Sequence, residues 1–166
     1  WTLPSLAAVL TGLLPSGHGL RVPGRALRPD AETTAEILRQ AGYSTAFFGV
    51  NPWLVDGAGL EQGYERWDAR QGDSGDRLLR DLEDWLATRE SQAPLFVHLH
   101  FFEPHCKYRP PRKQDGLFEP PEAGMARGER LSVEQYSSMG DCYRLEDAQG
   151  EALLDLDTYL ARYDAE

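Results

Sequence analysis

The sequence is poor in whatever would staple a chain, anchor it or draw it to polyanions. Cys106 and Cys142 are its only cysteines. Two thiols make no disulfide framework; reduced thiols are the default, and a single bridge between them stays open. No apolar run approaches membrane-spanning length. Positive charge is in deficit, with 17 Lys and Arg against 27 Asp and Glu and a net charge of −10. That balance argues against nucleic acid and anionic membranes as partners. The acidic residues are scattered, as on a solvated surface. No internal repeat is present. The hydrophobic fraction of 41% over 166 residues is enough for a packed core, and the length suggests one domain.

Helix and strand signals alternate along the first hundred residues. Asp30 or Thr33 can open a helix that runs to about Ala41, with Ile37, Leu38 and Ala41 as its apolar side and Gly42 as its stop. Tyr43 to Val50 reads as a buried strand, short, aromatic and bounded by turn residues. Gly57 to Gln71 reads as an irregular surface loop packed by Tyr64 and Trp67. Ser74 is placed to cap a helix from Gly75 to about Glu90, with Leu78, Leu79, Leu82, Trp85 and Leu86 as a core-facing stripe. Pro94 to Phe102 is a second strand, with Val97, Leu99 and Phe101 on one side and Phe96, His98, His100 and Phe102 on the other. Helix then strand, repeated, implies a parallel sheet. A Pro/Gly-rich loop runs to about Arg130. Ser132 and Gln135 stand at capping-box spacing, and Leu153, Leu156, Tyr159, Leu160 and Tyr163 form a last apolar face.

Residues able to do chemistry are few. Thr2 is read as the last extended residue before a short apolar helix, Ser5 to Leu13, with Pro4 in its first turn. A hydroxyl there sits in the field of unpaired N–H groups, which suits an anion or a nucleophile attacking one; it also suits a simple N-cap. His18 is a lone loop histidine without a nearby partner carboxylate, which favours a structural role. Arg21, Arg25 and Arg28 form a local basic loop that can face an anionic substrate or simply be solvated. His98 and His100 share one strand face and could bind zinc, but no carboxylate or cysteine on that strand completes a set, which favours packing under a helix. Asn51 ends a strand, where α/β sites form, but Asn-Pro is also a turn signal.

Two segments resemble the sulfatases of the alkaline phosphatase superfamily. In T-L-P-S-L-A-A-V-L-T-G-L-L-P-S-G-H-G, residues Thr2, Pro4, Ser5, Ala7, Ala8, Val9, Thr11, Gly12, Pro15, His18 and Gly19 fall in register with the family's nucleophile segment. The second segment, Glu103-Pro104-His105-Cys106-Lys107-Tyr108-Arg109-Pro110-Pro111, resembles the family's F-x-D-P-H-x-P-Y-x-P-P. Between them, E-I-L-R-Q-A-G-Y-S-T-A-F-F-G is also similar. Five departures matter. Thr2 cannot become the formylglycine of true sulfatases, although Thr is the nucleophile in related phospho-group transferases. Leu6 replaces an Arg. The family's G-K-W-H-L-G, whose Lys and His contact sulfate and nucleophile, is absent around Val50 to Leu54. Glu103 replaces an Asp, and Lys107 stands where Pro is usual.

The resemblance implies a partial alkaline-phosphatase-like, three-layer α/β fold with a mostly parallel sheet between helices. It implies one incomplete domain over 1–166, truncated at both ends: the chain opens inside a motif, and L-A-R-Y-D-A-E stops within an amphipathic helix without a C-cap. The paired Asp metal ligands of the family would then lie outside the chain, so no metal ligand is expected within it apart from a contact by Thr2. The parent would hold a divalent metal, calcium by resemblance. Thr2 and His105 are the implied catalytic residues, with Asn51 and Lys107 as substrate contacts. The implied function is a metal-dependent hydrolase of small-molecule or glycan sulfate or phosphate esters, with this chain alone inactive. The alternatives are a phospho-group transferase or phosphodiesterase of the same superfamily, and a non-catalytic sulfatase-like binding module.

Overall fold

The segment S-T-A-F-F-G-V has no charge and is rich in β-branched and aromatic residues, which suits a strand covered on both faces. In the computed structural model, which describes residues 2–54, 57–71, 75–105, 113, 132–133 and 150, it forms strand β1, Ser44–Val50, buried at every position. Strand β2, Arg66–Arg70, and strand β3, Leu95–His100, pair with β1 in parallel on either side, giving the order β2-β1-β3. The register sets Phe47 between Trp67 and His98. The chain divides into two compact units, Trp1–Phe102 and Glu103–Glu166. All these strands belong to the first.

Helices cover both faces of the sheet. On one face, Phe47, Trp67, Ala69 and Phe96 pack with Leu3, Leu6, Ala7 and Leu10 of helix α1, Thr2–Thr11, and with Ala35 of helix α3, Thr34–Gln40. A single turn, α2, Pro15–His18, follows α1. On the other face, Ala46, Phe48, Val50, Val97 and Leu99 pack with Leu78, Leu82 and Trp85 of helix α4, Gly75–Thr88. This is the expected α/β arrangement of a parallel sheet between helices.

Local signals set α3. The Thr33 hydroxyl accepts from the Glu36 N–H, and the Glu36 carboxylate accepts from the Thr33 N–H at 2.8 Å, a reciprocal cap. Gly42, at φ +87°, provides the stop.

Four expectations are corrected. The segment from Gly57 to Gln71 is not all irregular, because Arg66–Arg70 is a strand. Its alternate charges hid it: Arg66, Asp68 and Arg70 line one face, and Asp68 bonds to both arginines while Arg70 also pairs with Asp81 of α4 at 2.9 Å. Helix α4 turns Leu78, Leu82 and Trp85 inward but leaves Leu79 and Leu86 exposed, since a single sheet face admits a narrower stripe than the sequence offers. Phe102, beyond the end of β3, packs with Val97 and Leu99, because strand alternation stops where the strand does. Helix α1 ends at Thr11 rather than Leu13; Gly12 at φ +67° breaks it, and the Thr11 hydroxyl accepts from the Leu13 N–H. The Ser74 cap, the Gln135 capping box, the Leu153 to Tyr163 face and Cys106 and Cys142 lie outside the described residues.

One glycine is fixed by contact. Gly63 lies against α3, and a Cβ there would stand 2.2 Å from the Glu36 nitrogen, at φ +83°. Gly57 has a similar φ of +90° but open space around it. We therefore expect Gly63→Ala to cost on the order of 3 kcal/mol or more, and Gly57→Ala about 1 kcal/mol, from backbone strain alone. Urea denaturation of both variants checks this; equal costs would contradict the contact.

Candidate active site

Sequence places Thr2 just before a helix, but the helix begins at Thr2 itself. The reason is the apolar stripe. Leu3, Leu6, Ala7 and Leu10 are all buried, and this spacing continues one turn further back than Ser5. Burying Leu3 on that face requires helical backbone from Thr2 onward. Pro4 fits, because first-turn N–H groups have no intrahelical acceptor to lose. Thr2 is thus a partly exposed hydroxyl in the first turn of a ten-residue helix with no acidic residue in that turn. The amide dipoles there favour negative charge.

The C-terminal end of β1 lies nearby. Asn51 is buried and held by three bonds: its N–H donates to the Arg70 carbonyl, its carbonyl accepts from Leu54, and its Oδ1 accepts from the Trp53 N–H at 3.0 Å. This is an Asx turn. The side-chain oxygen serves the turn, and the amide nitrogen is the group Asn51 can donate to a ligand. A cleft of about 350 Å³ opens beside this turn, walled by Leu3 from α1 and by Pro52 and Trp53. Residues adjoining Thr2 and Asn51 therefore share one cavity wall, though 49 positions separate the two in sequence.

The basic loop resolves into three different arginines. Arg28 grips Asp30 through two bonds, of 2.9 and 2.5 Å, and its pKa is raised by that bond and by the carboxylate charge. The Arg21 Nε donates to the Pro15 carbonyl at 3.2 Å. Arg25 lines the cleft and makes no side-chain hydrogen bond or ion pair among the described residues.

His18 is fully buried behind this region. Its Nδ1 accepts from the Leu20 N–H at 3.2 Å, which requires an uncharged ring in the folded state. Burial lowers its pKa, with the Pro4 carbonyl acting in the opposite sense and Arg21 in the same sense. Its ring nitrogen thus serves the loop backbone.

His98 and His100 lie on the α1 side of the sheet beside Phe47, with ring centroids 5.1 and 6.5 Å from it. Among the described residues no group of three His, Cys, Asp or Glu side chains could hold a metal ion. The other implied catalytic residue, His105, is exposed and belongs to the second unit. Lys107 lies outside the described residues. What sequence reasoning missed is the cleft and the difference between Arg25 and its two neighbours in the basic loop. Their signal was the turn-rich stretch from Val22 to Ala26, which by itself says only loop.

The strand histidines make stability depend on pH. Burial pushes both pKa values below the ordinary value, and at His98 the neighbouring His100 adds to the effect. The unfolded chain therefore binds protons first as pH falls. This stabilisation is complete above the unfolded value of about 6.5 and is lost as pH falls from there toward the folded values. His18 acts in the same sense. Melting temperature is expected to fall between pH 7.5 and 5, and the double variant His98→Phe with His100→Phe to flatten that fall. An unchanged slope in the variant would assign the effect elsewhere.

Comparison with known proteins agrees with this architecture. A protein solved in complex with its substrate, D-glucosamine-2-N,6-O-disulfate, superposes with a TM-score of 0.61 at 20% identity, covering 99% of this chain and 40% of that one. The phosphonate monoester hydrolase of Agrobacterium radiobacter gives 0.62 at 18% identity, covering 98% of this chain and 46% of that one. The phosphonate monoester hydrolase from Silicibacter pomeroyi gives 0.64 at 18% identity, with the same coverage of 98% and 46%. The chain spans less than half the length of these structures. At such identities the likeness is one of fold, the alkaline-phosphatase-like fold that the sequence motifs implied. No curated protein sequence matches the chain. The family model for sulfatases matches residues 1–162. On that match, the chain belongs to the sulfatase family.

Proposed function

We propose that the protein carrying this chain hydrolyses sulfate or phosphate-type esters, with Thr2 as nucleophile. What supports this reading is Thr2 itself: it holds the nucleophile position of the family motif, and its hydroxyl stands in the first turn of α1, one residue from a cleft wall. In the reaction, Thr2 Oγ gives up its proton to solvent and bonds to the sulfur or phosphorus as the bond to the alcohol oxygen breaks; water then attacks the same atom, the bond to Thr2 Oγ breaks, and Thr2 regains its proton as free sulfate or phosphate leaves. The alcohol oxygen takes a proton, for which His105 is the proposed donor by its place in the E-P-H segment. First-turn amides favour the anionic group under attack. Asn51, through its amide nitrogen, and Lys107 are the proposed substrate contacts. Sulfatases generally depend on a metal ion. The described residues supply no ligand set for one, and Thr2 would offer it a single oxygen. Neighbouring structures are solved with a sulfated glucosamine or named for phosphonate monoester hydrolysis, which supports an ester of a tetrahedral oxyacid without choosing between sulfur and phosphorus. Thr2, which cannot form formylglycine, favours phosphorus.

A second reading, a non-catalytic binding module, rests on Leu6. Where the family has an Arg, this chain has a leucine that is buried in the core, so the missing cation is not replaced by another group at that position.

Turnover of 4-nitrophenyl sulfate and phosphate by the metal-loaded, full-length protein separates the readings. The ester-hydrolase reading expects Thr2→Ala to lose about three orders of magnitude in kcat with little change in melting, and Thr2→Ser to retain part. Thr2→Ala as active as wild type would remove the nucleophile assignment. An inactive wild type would favour the binding module.

A further inference from the structure

The cleft walled in part by Leu3, the residue after Thr2, has a chemical character that bears on what the ester carries. Its walls come from Leu3, Pro23, Ala26, Pro52 and Trp53, none of which offers a hydrogen-bonding side chain except the indole of Trp53. Arg25 is the one charged side chain among the described residues of the wall, and its two basic neighbours are already engaged. Two loops form the cleft and are tied together, since the Leu27 N–H donates to the Ala58 carbonyl at 2.7 Å. Arg25 itself sits at the end of a turn, with its N–H donating to the Val22 carbonyl at 3.3 Å. The cation is therefore presented from a braced turn beside an apolar hollow rather than from a free tail.

We propose that this cleft binds the alcohol half of the ester, and that this half is a small aryl or alkyl group bearing one anionic substituent rather than a sugar. The proposal rests on the ester-hydrolase reading above and deepens it. A sugar brings hydroxyls on every side. Against proline, alanine and leucine side chains they find few partners beyond Arg25 and the loop backbone, which opposes binding. An aromatic or alkyl body loses nothing there and gains contact with the Trp53 ring, which is 47% exposed. A carboxylate or similar anion on that body meets Arg25, whose fork can hold it through two bonds. A volume near 350 Å³ falls at the lower end of the range of small-ligand sites, about 300–1,000 Å³, and suits one substituted ring. Transfer of the sulfuryl or phosphoryl group from such an ester leaves the substituted alcohol as product, so the probes below are product-like.

The test uses the full-length protein and ligand-observed NMR titration with three alcohols: 4-hydroxybenzoate, phenol and glucose. In low salt, 4-hydroxybenzoate is expected to bind about fivefold more tightly than phenol, as one partly exposed ion pair allows, with glucose weaker than either. Arg25→Ala should bring 4-hydroxybenzoate down to the level of phenol, and Arg25→Lys should keep part of the preference. Ala26→Trp, at an exposed position, should fill the cleft and weaken both aromatic ligands by about tenfold without altering melting. Glucose binding as well as phenol, equal binding of the two aromatic alcohols, or an ineffective Ala26→Trp would each overturn the proposal. Binding is read without turnover, so the two readings fail separately. The expected binding pattern in a protein that hydrolyses no ester keeps the cleft and removes the ester-hydrolase reading. Hydrolysis indifferent to Arg25 and Ala26 keeps the reaction and removes the cleft.

Discussion

The ring of Phe47 holds the first unit together. It is fully buried at the centre of β1 and stacks on Trp67 of β2 with centroids 4.0 Å apart and planes 19° from parallel. On its other side stands His98 of β3 at 5.1 Å, and Tyr64 meets it edge-on at 5.8 Å. One side chain thus links all three strands on the face that α1 covers. The arrangement depends on Gly49, because a Cβ at that position would lie 2.5 Å from the Phe47 ring. Aromatic pairs of this kind contribute beyond their buried area, roughly 0.5–1.5 kcal/mol each. The stack also accounts for the lowered pKa values of His98 and His100, since a charged imidazole beside buried rings would lose its water.

From that stack the chain leads directly to the cleft. Beyond Gly49 and Val50 the backbone leaves the sheet at Asn51, whose Asx turn presents Pro52 and Trp53 to the cavity. Helix α1 reaches the same cavity because Leu6, Ala7 and Leu10 are buried in the cluster that contains Phe47, which fixes where Leu3 and the preceding Thr2 come to lie. The loop from Pro23 to Ala26 closes the third side through the Leu27–Ala58 bond. The opposite face of β2 is stabilised differently. Asp68 is pushed up by burial, but the guanidiniums of Arg70 and Arg66 outweigh that and hold its pKa below the ordinary value. Partly exposed ion pairs contribute little net stability. Here they let a charged strand lie against α4.

Much was legible in the residues alone, where the signal was local. Thr33 and Glu36, three apart, marked the start of α3. The uncharged aromatic run marked β1, and the alternation of Phe96, Val97, His98 and Leu99 marked the two faces of β3. The two motif segments carried the family. Each of these depends on neighbours in sequence, through a cap, a strand period or a fixed motif.

Tertiary structure decided what depends on distant partners. R-W-D-A-R is a strand only because β1 offers it a ladder and Asp81 of α4 pairs with Arg70. Thr2 is helical because Leu3 has a core to enter. Leu6, which stands where the family has an Arg, is a core residue. Arg25 differs from Arg21 and Arg28 only in that a carbonyl and a carboxylate engage those two and leave Arg25 on the cleft wall. Sequence fixes which groups exist and how they alternate. Which of them are covered, paired or left facing a cavity is set by packing between segments far apart in the chain.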